Sequence, residues 1–519
     1  MVRKWASQGR TFAIKTNVPR MEAQMMFAQD GTFDKSKKIF EGILGHMERG
    51  VANGQRISEV EERLHGELHE LGRLLLQEHV DAQGTGDFGA TFEYEGRVLR
   101  RLPVIHDRRL VTVFGELTIR RTVYGSRETQ WHEVVPVDAR LGLPTGDFSP
   151  LLEDWAQSMC VENAYGKSRN QLKRMLGFPL TVRSLETMNE RMSNDVASFR
   201  ETESAPPAEA EGRILVATAD GKGVPMRRDP SEETGHDAKR RTKGQKKNKK
   251  REACVGAVYT IDPFHRKPAD IVDEIRRRRR GEQRPRPCHK HVRAELTRWI
   301  DGVEKNGKDL TFEWLAQETA LRNPDGKRPL VCLMDGDRAL WSMQQEHIPA
   351  AIGVLDLFHV LERLWSAAHC FHPEGSDEAE AFVEERLLRI LQGQVGYVIG
   401  GLKQMMTKHR LRGSRRERLQ SVITYYKNNR QYMKYDEYLK AGYPIGSGVA
   451  EGACRHLVKD RMELTGMRWC VEGAQAMLNM RAIYLNDQWD AFNRHRVDQE
   501  QRCLYPYRST IQAEWKRAA

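Results

Sequence analysis

Two apolar runs in this chain each end in an aspartate followed by a glycine, and any fold it adopts has to accommodate both. In RPLVCLMDGDRALW, residues 328–341, Val331, Leu333 and Asp335 recur at the period of two that puts side chains on one face of a strand. A buried strand there would present Asp335 at its C-terminal end, where open sheets place their chemistry. In ILVATADGKGVPM, residues 214–226, Ile214, Val216, Thr218 and Asp220 line one face in the same way. Taken singly, an Asp-Gly after an apolar run also reads as a hairpin turn. The pair predicts two strands that deliver Asp220 and Asp335 to one site. Asp337 is expected in a different role, as N-cap of the helix begun by Ala339, Leu340 and Trp341, because a short carboxylate there accepts unpaired backbone N–H groups.

A third carboxylate comes from GYPIGSGVAEGACRHLVKDRM, residues 442–462, in which Gly446, Ser447 and Gly448 open a helix with Glu451 in its first turn. Glu451, Cys454 and Val458 share a helix face at i, i+3 and i+7. Arg455, His456, Lys459 and Arg461 follow and could hold backbone phosphates or form a solvated basic face. Glu451 could equally be an acid favoured by the positive end of its helix.

With 519 residues the chain has room for roughly three domains. No apolar run approaches the ~18 residues of a membrane span, and the basic start MVRKWASQGRTFAIK lacks the apolar core of a signal peptide, so an intracellular protein is expected. The cysteines are scattered without a CxxC pair, which suits reduced thiols. PCHKH at residues 287–291 has no second ligand pair at zinc spacing. The net charge of +12 is concentrated: Lys239 to Arg251 holds nine basic residues and no acid, and Arg276 to Arg280 is an unbroken arginine run. Such runs are often solvated loops. Here they exceed the whole surplus, which favours a polyanion partner, with Lys246, Lys247, Lys249 and Lys250 as candidate phosphate contacts.

In order, residues 1–35 read as a basic arm, and 36–135 as two amphipathic helices followed by a small antiparallel sheet. Residues 136–200 read as a helical DNA-binding module with Arg169, Lys173, Arg174 and Arg183 exposed and Ser149 as a helix cap. ETESAPPAEAEG, 201–212, is the clearest linker. Residues 213–365 give a mixed α/β core, with strands at 214–220, 253–261, 331–335 and 351–355 and a helix pair expected from His291 to Leu321. An all-helical insertion occupies 366–445, helices carrying Glu451 occupy 446–490, and 491–519 is a tail.

The blocks ADGKGVPM, CLMDGDRALW, VLDLFHVLERLW and GYPIGSGVAEGACRHLVKDRMELTGMRWCVEGAQAMLNMRA resemble those of bacterial insertion-sequence transposases of the ISKra type, within the ribonuclease-H-like DDE group. The resemblance runs from about residue 36 to 490. It implies an α/β fold with a ribonuclease-H-like mixed sheet core, an all-helical insertion and an α+β N-terminal region. It also implies Asp220, Asp335 and Glu451 as catalytic, Mg²⁺-binding acids, with Mn²⁺ as the alternative ion, and an Asp-x-x-His element on Asp356 and His359. His359 on its own would read as a core histidine. The implied activity is nicking of transposon ends and transfer of strands to target double-stranded DNA by a homo-oligomer without a membrane partner, in the nucleoid-associated cytoplasm of a bacterium. Where relatives carry a paired-cysteine ribbon after the small sheet, this chain has TVYGSRETQWHEVVPVD and no cysteine, so no zinc is implied there. The chemistry gives its own reason for three carboxylates: phosphodiester transfer is commonly clamped by two metal ions roughly 4 Å apart, and hard oxygen ligands suit Mg²⁺. A nuclease or resolvase without strand transfer, and a DNA-binding relative that no longer cuts, are the competing readings.

Overall fold

The computed structural model describes residues 31–125, 134–227, 250–278 and 283–518. The basic arm up to residue 30 lies outside them, as do Lys246, Lys247, Lys249, Arg279 and Arg280. At the centre is a five-stranded mixed sheet made of β1 (Ile214–Pro225), β2 (Lys250–Ile261), β3 (Cys288–Leu296), β4 (Leu330–Met334) and β5 (Ile352–Leu355). Its order is β5-β4-β1-β2-β3. β4 is parallel to both β1 and β5, whereas β2 runs antiparallel to β1 and β3 antiparallel to β2. The parallel strands are continuous apolar runs because both their faces are covered: Leu215, Val216, Ala217, Val331, Cys332 and Leu333 are all fully buried.

Around the sheet lie α1 (Pro268–Ile275), α2 (Gly307–Arg322), α3 (Arg338–His347) and α4 (Leu357–Ala368). The insertion is helical throughout, as expected: α5 (Asp377–Leu391), α6 (Val395–Lys408), α7 (Gly413–Asn429) and α8 (Tyr435–Ala441). It closes the β5 edge of the sheet. Tyr438 and Tyr435 donate their hydroxyls to the carbonyls of Gly353 (2.9 Å) and Leu355 (2.7 Å), and Tyr432 stacks on Trp341 with ring centroids 3.7 Å apart. An edge strand whose carbonyls are occupied in this way cannot recruit another chain. α9 (Gly448–Ala453) and α10 (Val471–Leu485) follow, and their apolar side chains form a second core with β2, β3, Val161, Met192 and Phe199.

Three expectations are corrected. The helix pair expected from His291 to Leu321 is a strand, a hairpin and one helix. Val292, Ala294 and Leu296 are buried at the strand period, and Asp301 and Gly302, both with positive φ (50° and 78°), turn a hairpin between Arg298–Ile300 and Val303–Lys305. Only then does Asn306 cap α2, accepting the Lys308 N–H at 2.9 Å. The 136–200 helices are not a detached module, because they share the second core with β2 and β3. The segment expected as a tail forms helices Trp489–Leu504 and Arg508–Ala518, which pack back onto the N-terminal part. Tyr505 donates to the Leu143 carbonyl (2.7 Å) and Trp489 to Asp154 (2.6 Å).

N-terminal to the core, helices Asp34–Ala52 and Ile57–Asp81 pack on each other, and the small antiparallel sheet comes as two separate ones, Thr91–Tyr94 with Arg97–Arg101 and Tyr124–Gly125, and His106–Thr112 with Gly115–Arg121. Ser149 caps the helix Pro150–Glu162 through the Leu152 N–H, as its position suggested. Among the described residues, no helix is long and apolar enough to cross a membrane.

Candidate active site

Strand register assembles the site. Val331, Cys332 and Leu333 of β4 lie beside Ile352, Gly353 and Val354 of β5, while Cys332 lies beside Ala217 of β1. Continuing that register along the parallel strands places Asp335 between Asp220 and Asp356, so three aspartates form one row across β1, β4 and β5. Neighbouring strands are roughly 4.8 Å apart, which sets the spacing of the row. The Asp356 N–H donates to the Met334 carbonyl at 2.9 Å and confirms the alignment on the β5 side.

The two aspartates are delivered differently. Asp335 follows the last residue of β4, as the period-of-two reading predicts. Asp220 lies in the middle of β1, paired with Val255 of β2, at the point where β1 outruns its parallel neighbour. Neither Asp-Gly is a hairpin turn, for Gly221 and Gly336 both lack positive φ. Gly336 is required for another reason: a Cβ there would stand 2.3 Å from the ring of Tyr425, on α7 of the insertion. A Gly336→Ala protein is therefore expected to lose about 1–3 kcal/mol of stability, as overpacked sites do, whereas the same change made in a Tyr425→Ala background is expected to cost little. Thermal melting of the single and double variants measures both.

Each carboxylate has one oxygen held by backbone. Asp220 Oδ1 accepts its neighbour Gly221 N–H (2.6 Å) and Asp335 Oδ1 accepts the Asp337 N–H (2.9 Å). Asp220 Oδ2 takes a hydrogen bond from the Cys454 thiol at 3.3 Å. Burial holds the Asp335 carboxyl above the ordinary carboxylate range, with the charge of Asp220 acting in the same sense, while the Asp337 N–H and His359 oppose it. Asp337 caps α3 through the Ala339 N–H (2.9 Å) and pairs with Lys308 (2.7 Å), which pulls its carboxyl down against the effect of burial. Lys308 also meets Glu252 at 3.2 Å. This lysine was missed by sequence reasoning, because a residue at the start of α2 carries no local sign that it faces the strand ends.

Glu451 is exposed, in the first turn of α9. Cys454, one turn on and on the same face, touches Asp220, and the helix continues from there through a π-helical stretch, Cys454–Lys459. Such π-turns are rare and concentrate at functional sites. Among the described residues, no three His, Cys, Asp or Glu side chains are gathered closely enough to hold a metal ion. Asp220 and Asp335 thus come together, while Glu451 is carried on the helix whose continuation touches Asp220 through Cys454 and does not complete a three-acid cluster with them. His359 is half-buried on α4, near Glu362 (3.4 Å) and close enough to act on the Asp335 carboxyl.

The candidate DNA contacts divide. Arg455 and Lys459 are exposed, and Arg455 lies 3.6 Å from Asp460. Arg461 is corrected: it is fully buried, donates to the Cys160 carbonyl at 2.7 Å, and sits between the rings of Tyr165 and Trp469, so it holds the 136–200 helices to the core and is not available to phosphates. Lys250 opens β2 and pairs with Glu463. Lys246, Lys247 and Lys249 lie outside the described residues. In the arginine run, Arg276 and Arg278 pair with Glu380 and Glu384 of α5, so these two charges are neutralised within the protein. Arg169, Lys173, Arg174 and Arg183 are all exposed, as expected.

Over residues 50–256 the chain is similar to an uncharacterised protein family, UPF0236. That stretch takes in Asp220 but neither Asp335 nor Glu451. No curated protein matches the chain.

Proposed function

We propose that the protein is a DNA transposase of the DDE group that cuts insertion-sequence ends and transfers the strands to target DNA, and that its core is ribonuclease-H-like. The observation that carries the reading is the side-by-side placement of Asp220 and Asp335, with the helix of Glu451 resting on Asp220 through Cys454. Strand order supports the fold: β3-β2-β1-β4-β5, with the first three strands antiparallel in succession and β4 and β5 parallel to β1, is the arrangement expected of a ribonuclease-H-like sheet.

The donors suit a hard divalent cation. They are carboxylate oxygens, and the burial and mutual repulsion that raise the Asp335 carboxyl are relieved by a positive charge between the two acids. Asp220 and Asp335 would hold Mg²⁺ or Mn²⁺, and Glu451 would join them when DNA is bound. The ion would supply charge for the attacking and departing phosphodiester oxygens. The chain's own residues hold the acids in place by backbone N–H groups, keep Lys308 on Asp337 and bring exposed Arg455 and Lys459 to the same helix as Glu451. The exposed basic residues of the 136–200 helices would extend the phosphate-binding surface, and the lysine-rich run, by its charge, would add affinity for phosphates. Changing Lys246, Lys247 and Lys249 to alanine is expected to weaken binding of end-containing and random duplexes alike. The salt dependence should flatten by about 0.9 log unit per lost contact, and an unchanged slope in a binding titration would place the run in solvent.

The deciding experiment is a nicking and joining assay on a duplex carrying the inverted repeats that flank the gene, with and without acceptor DNA. Joined product with acceptor supports the transposase. Nicking without joining supports the nuclease reading, and binding without either product, across candidate ends and divalent ions, supports the inert DNA-binding protein.

A further inference from the structure

We infer that Asp356, the third aspartate of the row, is not a metal ligand but a positioning residue that sets the helix of Glu451 through Ser447; this rests on the reading above that Glu451 serves the reaction. Asp356 is fully buried and both its oxygens are committed. Oδ1 accepts the Phe358 N–H at 2.8 Å and so caps α4. Oδ2 accepts from Ser447 twice, from its N–H at 3.3 Å and from its hydroxyl by a short hydrogen bond. Three hydrogen bonds from Phe358 and Ser447, none of them from the row, hold this carboxylate.

Ser447 stands at the N-cap of α9, where a serine hydroxyl ordinarily accepts a backbone N–H of its own helix. Here it caps nothing in α9 and points to Asp356 instead. Its carbonyl accepts the Glu451 N–H at 3.1 Å, so Asp356, Ser447 and Glu451 are joined in two steps. A second rung lies alongside, where the Leu357 N–H donates to the Ile445 carbonyl at 2.9 Å. α9 runs six residues before the π-helical stretch, and its first turn has no side-chain cap of its own. The buried carboxylate at the end of β5 therefore anchors the first turn of α9 and decides where Glu451 stands relative to Asp220 and Asp335. In sequence the device reads as the aspartate of Asp-x-x-His and the serine of Gly-Ser-Gly, 91 residues apart.

The test uses full-length Ser447→Ala and Asp356→Asn, each alone and combined with Glu451→Gln, with Mn²⁺ as the probe ion. Two readouts are taken: amide hydrogen exchange across residues 448–453 of the metal-free protein, and Mn²⁺ affinity from an electron paramagnetic resonance titration of the protein bound to an end-containing duplex, the state in which Glu451 would join the two aspartates. Without the latch, exchange in 448–453 is expected to rise roughly fivefold or more, the scale of one lost hydrogen bond, while β1 and β4 stay protected. Mn²⁺ affinity is expected to fall by about tenfold, the lower end of what outer-shell partners of a metal site contribute. In the Glu451→Gln background the same changes should have no further effect on affinity, because the latch acts through Glu451. Ser447→Thr, which keeps the hydroxyl, should restore both readouts. Unchanged exchange in 448–453, or an equal affinity loss in both backgrounds, overturns the proposal. If Asp356→Asn does not fold, Ser447→Ala carries the test. If the wild-type protein neither binds Mn²⁺ nor nicks DNA, it is the functional reading that fails, and the exchange result alone then decides whether the latch exists.

Discussion

An Asp335→Asn protein should fold, bind DNA and fail to cut it. The substitution keeps the side-chain oxygen that accepts the Asp337 N–H, so the turn from β4 into α3 is preserved. It removes the negative charge that burial already disfavours and that Asp220 repels. In the metal-free protein that removal relieves a cost, and the variant is expected to melt at the same temperature as the parent or above it. Residues selected for chemistry commonly carry such a stability cost. Nicking should fall by roughly 10²–10³-fold or more, the loss seen when one preorganised electrostatic group is taken from a reaction centre. Asp337→Asn is the matched control. Asparagine caps α3 as well as aspartate does, so this change removes only the pairing with Lys308 and should lower stability by about 1 kcal/mol or less, with cutting reduced only in proportion to folded protein. The measurements are a melting curve, a binding titration at fixed salt and a nicking time course on one duplex. A variant that melts normally and still nicks at near the parental rate removes Asp335 from the site.

That contrast between two aspartates separated by one glycine could be read from the sequence, since strand period and helix capping are both local rules. The same holds for Asp220 and the β5–α4 corner, carried by short apolar runs with sharp ends, and for the insertion, carried by helical periodicity without strand signals. What was illegible depended on distant partners. β3 was missed because CHKHVRAEL carries its charges on a strand whose buried Glu295 is neutralised by arginines, so its pattern resembles an exposed helix. The Asp-Gly that does make a hairpin is Asp301-Gly302, in WIDGVEK, a signal that was present and overlooked. Arg461 follows Glu451 by a spacing suited to a basic helix face, yet it is buried, because Tyr165, Trp469 and the Cys160 carbonyl come from elsewhere to receive it. Gly336 was read as part of a turn or a strand end, and the ring that dictates it lies on an insertion helix. Asp356 could be placed in a motif but not given a role, since the partner that reveals it is Ser447.

The largest effect on stability is expected from a group outside the site. Glu295 on β3 is fully buried, with Oε1 2.6 Å from Arg293 and Oε2 2.5 Å from Arg298, and Arg200 from the 136–200 helices adds to the same positive field. Burial alone would raise its carboxyl, but the arginines outweigh it and hold the group below the ordinary carboxylate range. Changing Glu295 to glutamine keeps the shape and leaves the guanidinium groups without their counter-charge. Breaking a buried ion pair from one side costs about 3–5 kcal/mol. The sign with pH follows from the depressed carboxyl. The contribution is fully present above the unfolded glutamate pKa of about 4.3 and is lost as pH falls through the lower folded value. The urea midpoints of parent and Glu295→Gln should therefore differ most near neutral pH, and the gap should close below about pH 4 as the parent loses the Glu295 contribution that the variant lacks. Because β3 and the helix ending at Arg200 belong to one apolar core with α10, the loss should appear as a single transition of the whole core. A gap that stays constant from neutral to acid pH would mean that Glu295 is already protonated in the folded protein and that the arginines, not the carboxylate, carry the local stability.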